Sequence, residues 1–74
     1  MSKLPVISGR DLVRVLGKIG FELDRQKGSH MILFRADPPT TLTVPDHREL
    51  DRGTLRAILR QAGLSPTELH TLLS

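Results

Sequence analysis

The sequence predicts an α+β domain: a three-stranded antiparallel sheet covered on one face by helices, in the order αβββα with a short C-terminal helix. Three observations lead there. Apolar residues recur at helical spacing in two separate stretches, Leu12/Val15/Leu16/Ile19 and Leu55/Ile58/Leu59/Ala62. Between them lie three short β-like runs punctuated by Gly, Ser, Asp and Pro. Finally, 74 residues make one small domain. Area scaling gives it roughly 4,500 Å² folded against roughly 12,000 Å² open, enough burial for a thin core.

Ser8 is placed to cap the first helix, with Asp11 three residues on in place of the usual capping-box Glu, and Gly20 is a suitable stop. Arg10, Arg14 and Lys18 fall opposite its apolar stripe, as a solvated face or a phosphate track. Phe21 to Gln26 alternates, with Phe21 and Leu23 on one side and Glu22, Asp24 and Gln26 on the other, as a half-buried strand does. Lys27-Gly28-Ser29 is a short turn, and His30 to Arg35 completes a hairpin. Asp37-Pro38-Pro39-Thr40 reads as a loop, and Thr41 to Val44 as a third strand ended by Pro45. A polar connection, Asp46 to Leu50, leads to Asp51, the cap of a second helix stopped by Gly63. Arg52, Arg56 and Arg60 form a stripe along it at i, i+4, i+8. Ser65-Pro66-Thr67-Glu68 then starts the last helix, with Leu69, Leu72 and Leu73 holding it to the body.

Eleven Lys+Arg against eight Asp+Glu give a net charge of +3 and a pI near 10.2. That balance suits nucleic acid or an acidic protein partner. Phe21 and Phe34 are the only aromatic residues, too few for a single-strand stacking platform, so contacts to the nucleic-acid backbone are expected instead. With no cysteine, neither a disulfide framework nor a Cys-based zinc site can form. No apolar run is long enough to span a bilayer, and MSKLPVISGR lacks a signal peptide's apolar stretch, so a cytoplasmic protein is expected.

Three histidines are available, His30, His47 and His70, and no two are at i, i+3 or i+4. Asp46, Glu49 and Asp51 read as loop and cap residues, so no metal site is expected, and no GxSxG context activates Ser8 or Ser29. His47 and His70 fit structural and solvated roles. His30 stands apart, because it follows Gly28-Ser29 at the mouth of a hairpin, where rigid elements hold a side chain that still reaches solvent. A three-residue turn pairs Gln26 with His30 and Asp24 with Ile32, placing His30, Ile32 and Phe34 on the open face. A two-residue turn flips them, and the sequence leaves both registers open. A structural His30 is the default on pattern alone.

Three blocks alter that balance: GKIGFELDRQKGSHMILF from Gly17 to Phe34, TVPDH from Thr43 to His47, and RGTLRAILRQAGL from Arg52 to Leu64. Together they resemble the HicA family, the small toxins of HicAB toxin–antitoxin modules, over residues 8–64 of a single domain. The resemblance implies a double-stranded-RNA-binding-like fold. It also implies a ribonuclease that cleaves mRNA and arrests growth, and a cognate HicB antitoxin that binds and blocks it. The family's catalytic histidine matches His30. A second polar residue, commonly histidine, often follows it. Here Met31 stands there, which implies a lost helper. His47 matches the other recurring histidine, to which no catalytic role is given.

RNA carries its own nucleophile in the 2′-OH, so cleavage needs a proton acceptor and donors for the crowded phosphorane. His30 suits the first task. Lys27, Arg25 and Arg35 are candidates for the second, helped by backbone N–H groups of Gly28 and Ser29, where glycine would permit close backbone approach. Arg52, Arg56 and Arg60 are placed to meet phosphates or acidic antitoxin residues, as is the stripe on the first helix. No cofactor or metal is called for, and mRNA and a HicB-type antitoxin are the expected partners, with no membrane. The competing reading is a non-catalytic RNA-binding or protein-interaction module on the same scaffold. A co-transcribed antitoxin-like gene would separate the two.

Overall fold

The computed structural model describes residues 3–74 and has the predicted order: α1 Gly9–Gly17, β1 Glu22–Lys27, β2 His30–Ala36, β3 Pro39–Pro45, α2 Arg52–Ala62 and α3 Pro66–Leu73. The strands form one antiparallel sheet in the order β1-β2-β3. The helices pack on one face of it and leave the other open, a double-stranded-RNA-binding-like α+β arrangement. Its accessible surface is 4874 Å², near the value that area scaling gives a folded chain of this mass.

Helix starts follow their caps. Ser8 Oγ accepts from the Asp11 N–H at 3.0 Å, and Asp51 Oδ2 accepts from the Thr54 N–H at 3.0 Å. Ser65 and Glu68 exchange the two bonds of a full capping box at 3.1 and 2.9 Å. α1 is shorter than its apolar spacing suggests: it ends at Gly17, and Ile19 packs on the core from the turn that follows. There Gly20, at φ +98°, lets the Phe21 N–H reach back to the Leu16 carbonyl at 3.1 Å, drawing Phe21 into the core.

Leu12 and Leu16 of α1, Leu33, Leu42 and Val44 of the sheet, Leu55 of α2 and Leu69 of α3 are all fully buried in one cluster. Every buried side-chain polar atom among the described residues has a hydrogen-bond partner. His70, though exposed, is tied down: its Nε2–H donates to the Lys3 carbonyl and fastens the N-terminal segment to α3.

β3 begins two residues earlier than expected, with Asp37-Pro38 alone forming the turn and Pro39 pairing with Ala36. A proline is tolerated here because it is the first residue of an edge strand.

The first hairpin needs a larger correction. Lys27 pairs with His30, so the turn has two residues, Gly28 and Ser29, and Gln26 pairs with Met31 rather than with His30. Ile32 pairs with Arg25 rather than with Asp24. Farther along, however, Leu23 pairs with Leu33 and Glu22 with Phe34, the register that a three-residue turn would give. A β-bulge between Leu23 and Arg25 reconciles the two, inserting Asp24 as an extra residue in β1. The bulge restores the phase that the shorter turn would have flipped, so β2 keeps Met31 and Leu33 inward and His30, Ile32 and Phe34 outward. It also moves Gln26 to the face of Leu23, against the simple alternation.

Candidate functional site

Partners across an antiparallel pair share a face, so the register defines the open surface. It carries Glu22, Arg25 and Lys27 from β1, His30, Ile32 and Phe34 from β2, and Thr41, Thr43 and Pro45 from β3. His30 is the first residue of the central strand, exposed, with Lys27 on one side and Pro45 on the other. Among the described residues Lys27 makes no ion pair, whereas Arg25 lies 3.7 Å from the bulged Asp24 carboxylate. Ile32 is half-buried and Phe34 is 46% exposed, so an apolar strip runs along β2 away from His30.

Gly28 has φ +57° while Ser29 does not adopt positive φ, which is the pattern of a II′ hairpin turn. A Cβ at Gly28 would meet nothing within 4 Å, so the backbone angle, not crowding, calls for glycine there in the free protein. The turn is held on the helix side. Gln26 Nε2 donates to the Gly28 carbonyl at 3.0 Å and to Asp46 Oδ2 at 3.1 Å. Asp46 in turn accepts from Arg10 Nε and Nη2 at 3.1 and 3.2 Å, and its N–H donates to the Ser29 carbonyl at 2.6 Å. Hydrogen bonds from Arg10, then from Gln26, hold the Asp46 carboxyl below its usual pKa. These three residues lie 10, 26 and 46 along the chain, and no short-range pattern in the sequence signals their meeting.

The predicted basic residues do not all gather at His30. Lys27 and Arg25 share its face; Arg35 does not. It points to the helix side, where its guanidinium lies 4.5 Å from the centre of the Phe21 ring and donates to the Ala62 carbonyl and Thr40 Oγ1. Arg35 thus ties the sheet to the end of α2. Arg52, Arg56 and Arg60 are exposed on α2, in the layer opposite the His30 face, and among the described residues none of their side chains has an ion-pair or hydrogen-bond partner. On α1 and its C-cap the basic side chains are engaged within the protein: Arg10 by Asp46, Arg14 by Asp11, and Lys18 by the Leu72 carbonyl.

Met31 is buried beneath α1, so its side chain lies on the face away from His30. The position after His30 therefore presents its side chain to the core rather than to the open face. His47 is exposed, and its backbone carbonyl accepts from the Gly9 N–H at 2.9 Å, a bond that does not involve the imidazole.

The fold and this surface define a small double-stranded-RNA-binding-like domain with an open basic sheet face and one histidine at its end. Residues 9–64 match the family model described as the HicA toxin of bacterial toxin–antitoxin systems, and the chain belongs to that family. It is therefore a member of a toxin family whose modules pair each toxin with an antitoxin. A search of curated proteins finds no match. No helix among the described residues is long and apolar enough to cross a membrane.

Proposed function

We propose that this chain is an endoribonuclease toxin that cleaves mRNA in the cytoplasm through His30, without a metal ion, and so inhibits growth. The observation that supports this reading best is the setting of His30: exposed, on a central strand, beside an unpaired Lys27 and a braced glycine turn. An imidazole titrates near neutral pH and is suited to taking the 2′-OH proton. The 2′-oxygen then bonds to phosphorus, the bond to the 5′-oxygen breaks, and that oxygen takes a proton from water while the His30 imidazolium returns its own to solvent. The products are a 2′,3′-cyclic phosphate and a 5′-hydroxyl end. Lys27 stabilises the charge on the phosphorane, with Arg25 farther along β1. Arg35 has no part in this, since it is committed to the helix side.

The test uses the chemistry itself. An RNA oligonucleotide that is cleaved should become inert when the ribose at the cut carries hydrogen in place of its 2′-OH, and cleavage of the unmodified strand should persist in EDTA. Cleavage of the deoxy-substituted strand, or loss in EDTA restored by Mg²⁺, would point to direct attack by water.

The same face is where a HicB-type antitoxin would bind. Ile32 and Phe34 leave apolar area exposed beside His30, and a protein laid over that strip would occlude the histidine. The unpaired arginines of α2 lie in the other layer, available for acidic antitoxin residues or RNA phosphates only if a partner wraps around the domain. Phe34→Ser is expected to cost under about 1 kcal/mol in urea unfolding, because the ring is half-exposed already. It should weaken antitoxin binding at least roughly tenfold, as loss of an aromatic anchor does. A loss of about 3 kcal/mol, the size of a core truncation, would show that the ring is structural instead.

A further inference from the structure

We infer that Gln26, Asp46 and Arg10 form a positioning device that turns the Ser29 N–H out of the open face as a phosphate donor beside His30. The inference rests on the ribonuclease reading and adds to it the group that receives a phosphate oxygen. It follows from peptide geometry. In a trans peptide the C=O and N–H point in opposite directions. The Gly28 carbonyl is drawn to the helix side by Gln26 Nε2, because Gln26 shares the face of its partner Met31. The N–H of that same peptide belongs to Ser29 and therefore points the other way, toward the face of His30. Among the described residues it has no hydrogen-bond partner.

The Gln26 amide has two hydrogens, and both are committed, one to the Gly28 carbonyl and one to Asp46 Oδ2. Asp46 is restrained toward the turn, since Arg10 bonds both its carboxylate oxygens. Its own N–H, bonded to the Ser29 carbonyl, fixes the next peptide as well. The alternative orientation of this peptide is that of a I′ turn, which needs positive φ at Ser29 too, so glycine followed by serine already favours the orientation seen. The clamp holds it there. The donor is thus oriented before any ligand arrives, which is what makes such a group effective on a developing charge.

Binding and rate both test this in the full chain. Inorganic phosphate titrated into the wild-type protein should shift the Ser29 amide resonance in ¹⁵N–¹H spectra, and so should phosphate titrated into His30→Ala. In Asp46→Ala and Gln26→Ala that shift should be lost or need at least roughly fivefold more phosphate. On RNA, both variants should lose roughly 10- to 100-fold in kcat, less than deletion of a whole oxyanion donor, with KM changed under about threefold. Asp46→Asn keeps one acceptor for Gln26 but gives up one of the two that Arg10 holds, and should recover part of the loss. If Asp46→Ala unfolds, Gln26→Ala, on an exposed edge strand, carries the test. A Ser29 amide that ignores phosphate in the wild type overturns the inference, as does an unchanged kcat in folded variants or a loss that Asp46→Asn does not rescue. A wild-type chain that cuts no RNA yet shows the Asp46-dependent phosphate shift would overturn the ribonuclease reading and leave the phosphate site standing.

Discussion

His30→Ala is expected to lower RNA cleavage by roughly 10²- to 10⁴-fold, the range that a positioned acid–base group supplies, and to abolish growth arrest on expression. The fold should not suffer. His30 is exposed, its imidazole has no hydrogen-bond partner, and it lies at the first position of β2, where truncation removes no core contact. Matching circular dichroism and a Tm within about 2 °C of wild type would separate a chemical loss from a structural one. His30→Gln, which keeps size and polarity but cannot take a proton near neutral pH, should be as inactive as alanine. A folded His30→Ala protein with undiminished toxicity would move the chemistry elsewhere. His47 would then be the first place to look, two residues past the strand end that faces His30.

Much of this surface could be read from local pattern, and the unread part has a common cause. Caps at Ser8, Asp51 and Ser65 act over three residues, so the sequence displays them directly. The alternation of β2 likewise separates Met31 and Leu33 from Ile32 and Phe34 without saying which pair is inside. Which pair it is depends on Asp24, a bulged residue in the neighbouring strand that no turn motif announces. The two errors in a simple hairpin, turn length and missing bulge, cancel at His30 and do not cancel at Gln26. For that reason the histidine's face agrees with one of the two registers that the sequence allows, while simple alternation puts Gln26, which braces the turn, on the opposite side from the one it takes. Arg35 went astray for a related reason: a basic residue near a strand end reads as a surface charge. Its partners, Phe21, Thr40 and Ala62, are close only once the sheet and α2 have assembled.

Gly9→Ala should be the most damaging small substitution in the fold. Alanine is a better helix former than glycine by about 1 kcal/mol, so in open space the exchange at the start of α1 would stabilise. Here a Cβ would sit 1.9 Å from the Pro45 carbonyl oxygen and 3.2 Å from Met31 Cε. The first of these is backbone, held because the Gly9 N–H donates to the His47 carbonyl at 2.9 Å, and so it cannot rotate aside. The chain must separate α1 from the end of β3, at a cost of about 3 kcal/mol or more. A domain of this size has total stability of only roughly 4–11 kcal/mol, so a fall in Tm of roughly 12 °C or more is expected. Gly17→Ala is the internal control: a Cβ there meets nothing within 4 Å, φ is not positive, and a gain of a few tenths of a kcal/mol is expected. The damage should also reach the site, because Pro45 leads directly into Asp46, whose N–H and carboxylate brace the Gly28-Ser29 turn. Gly9→Ala protein held folded at low temperature should therefore cleave RNA more slowly than wild type, while Gly17→Ala should match it. A Gly9→Ala protein as stable as wild type would mean that α1 does not dock against β3 as closely as the structure has it.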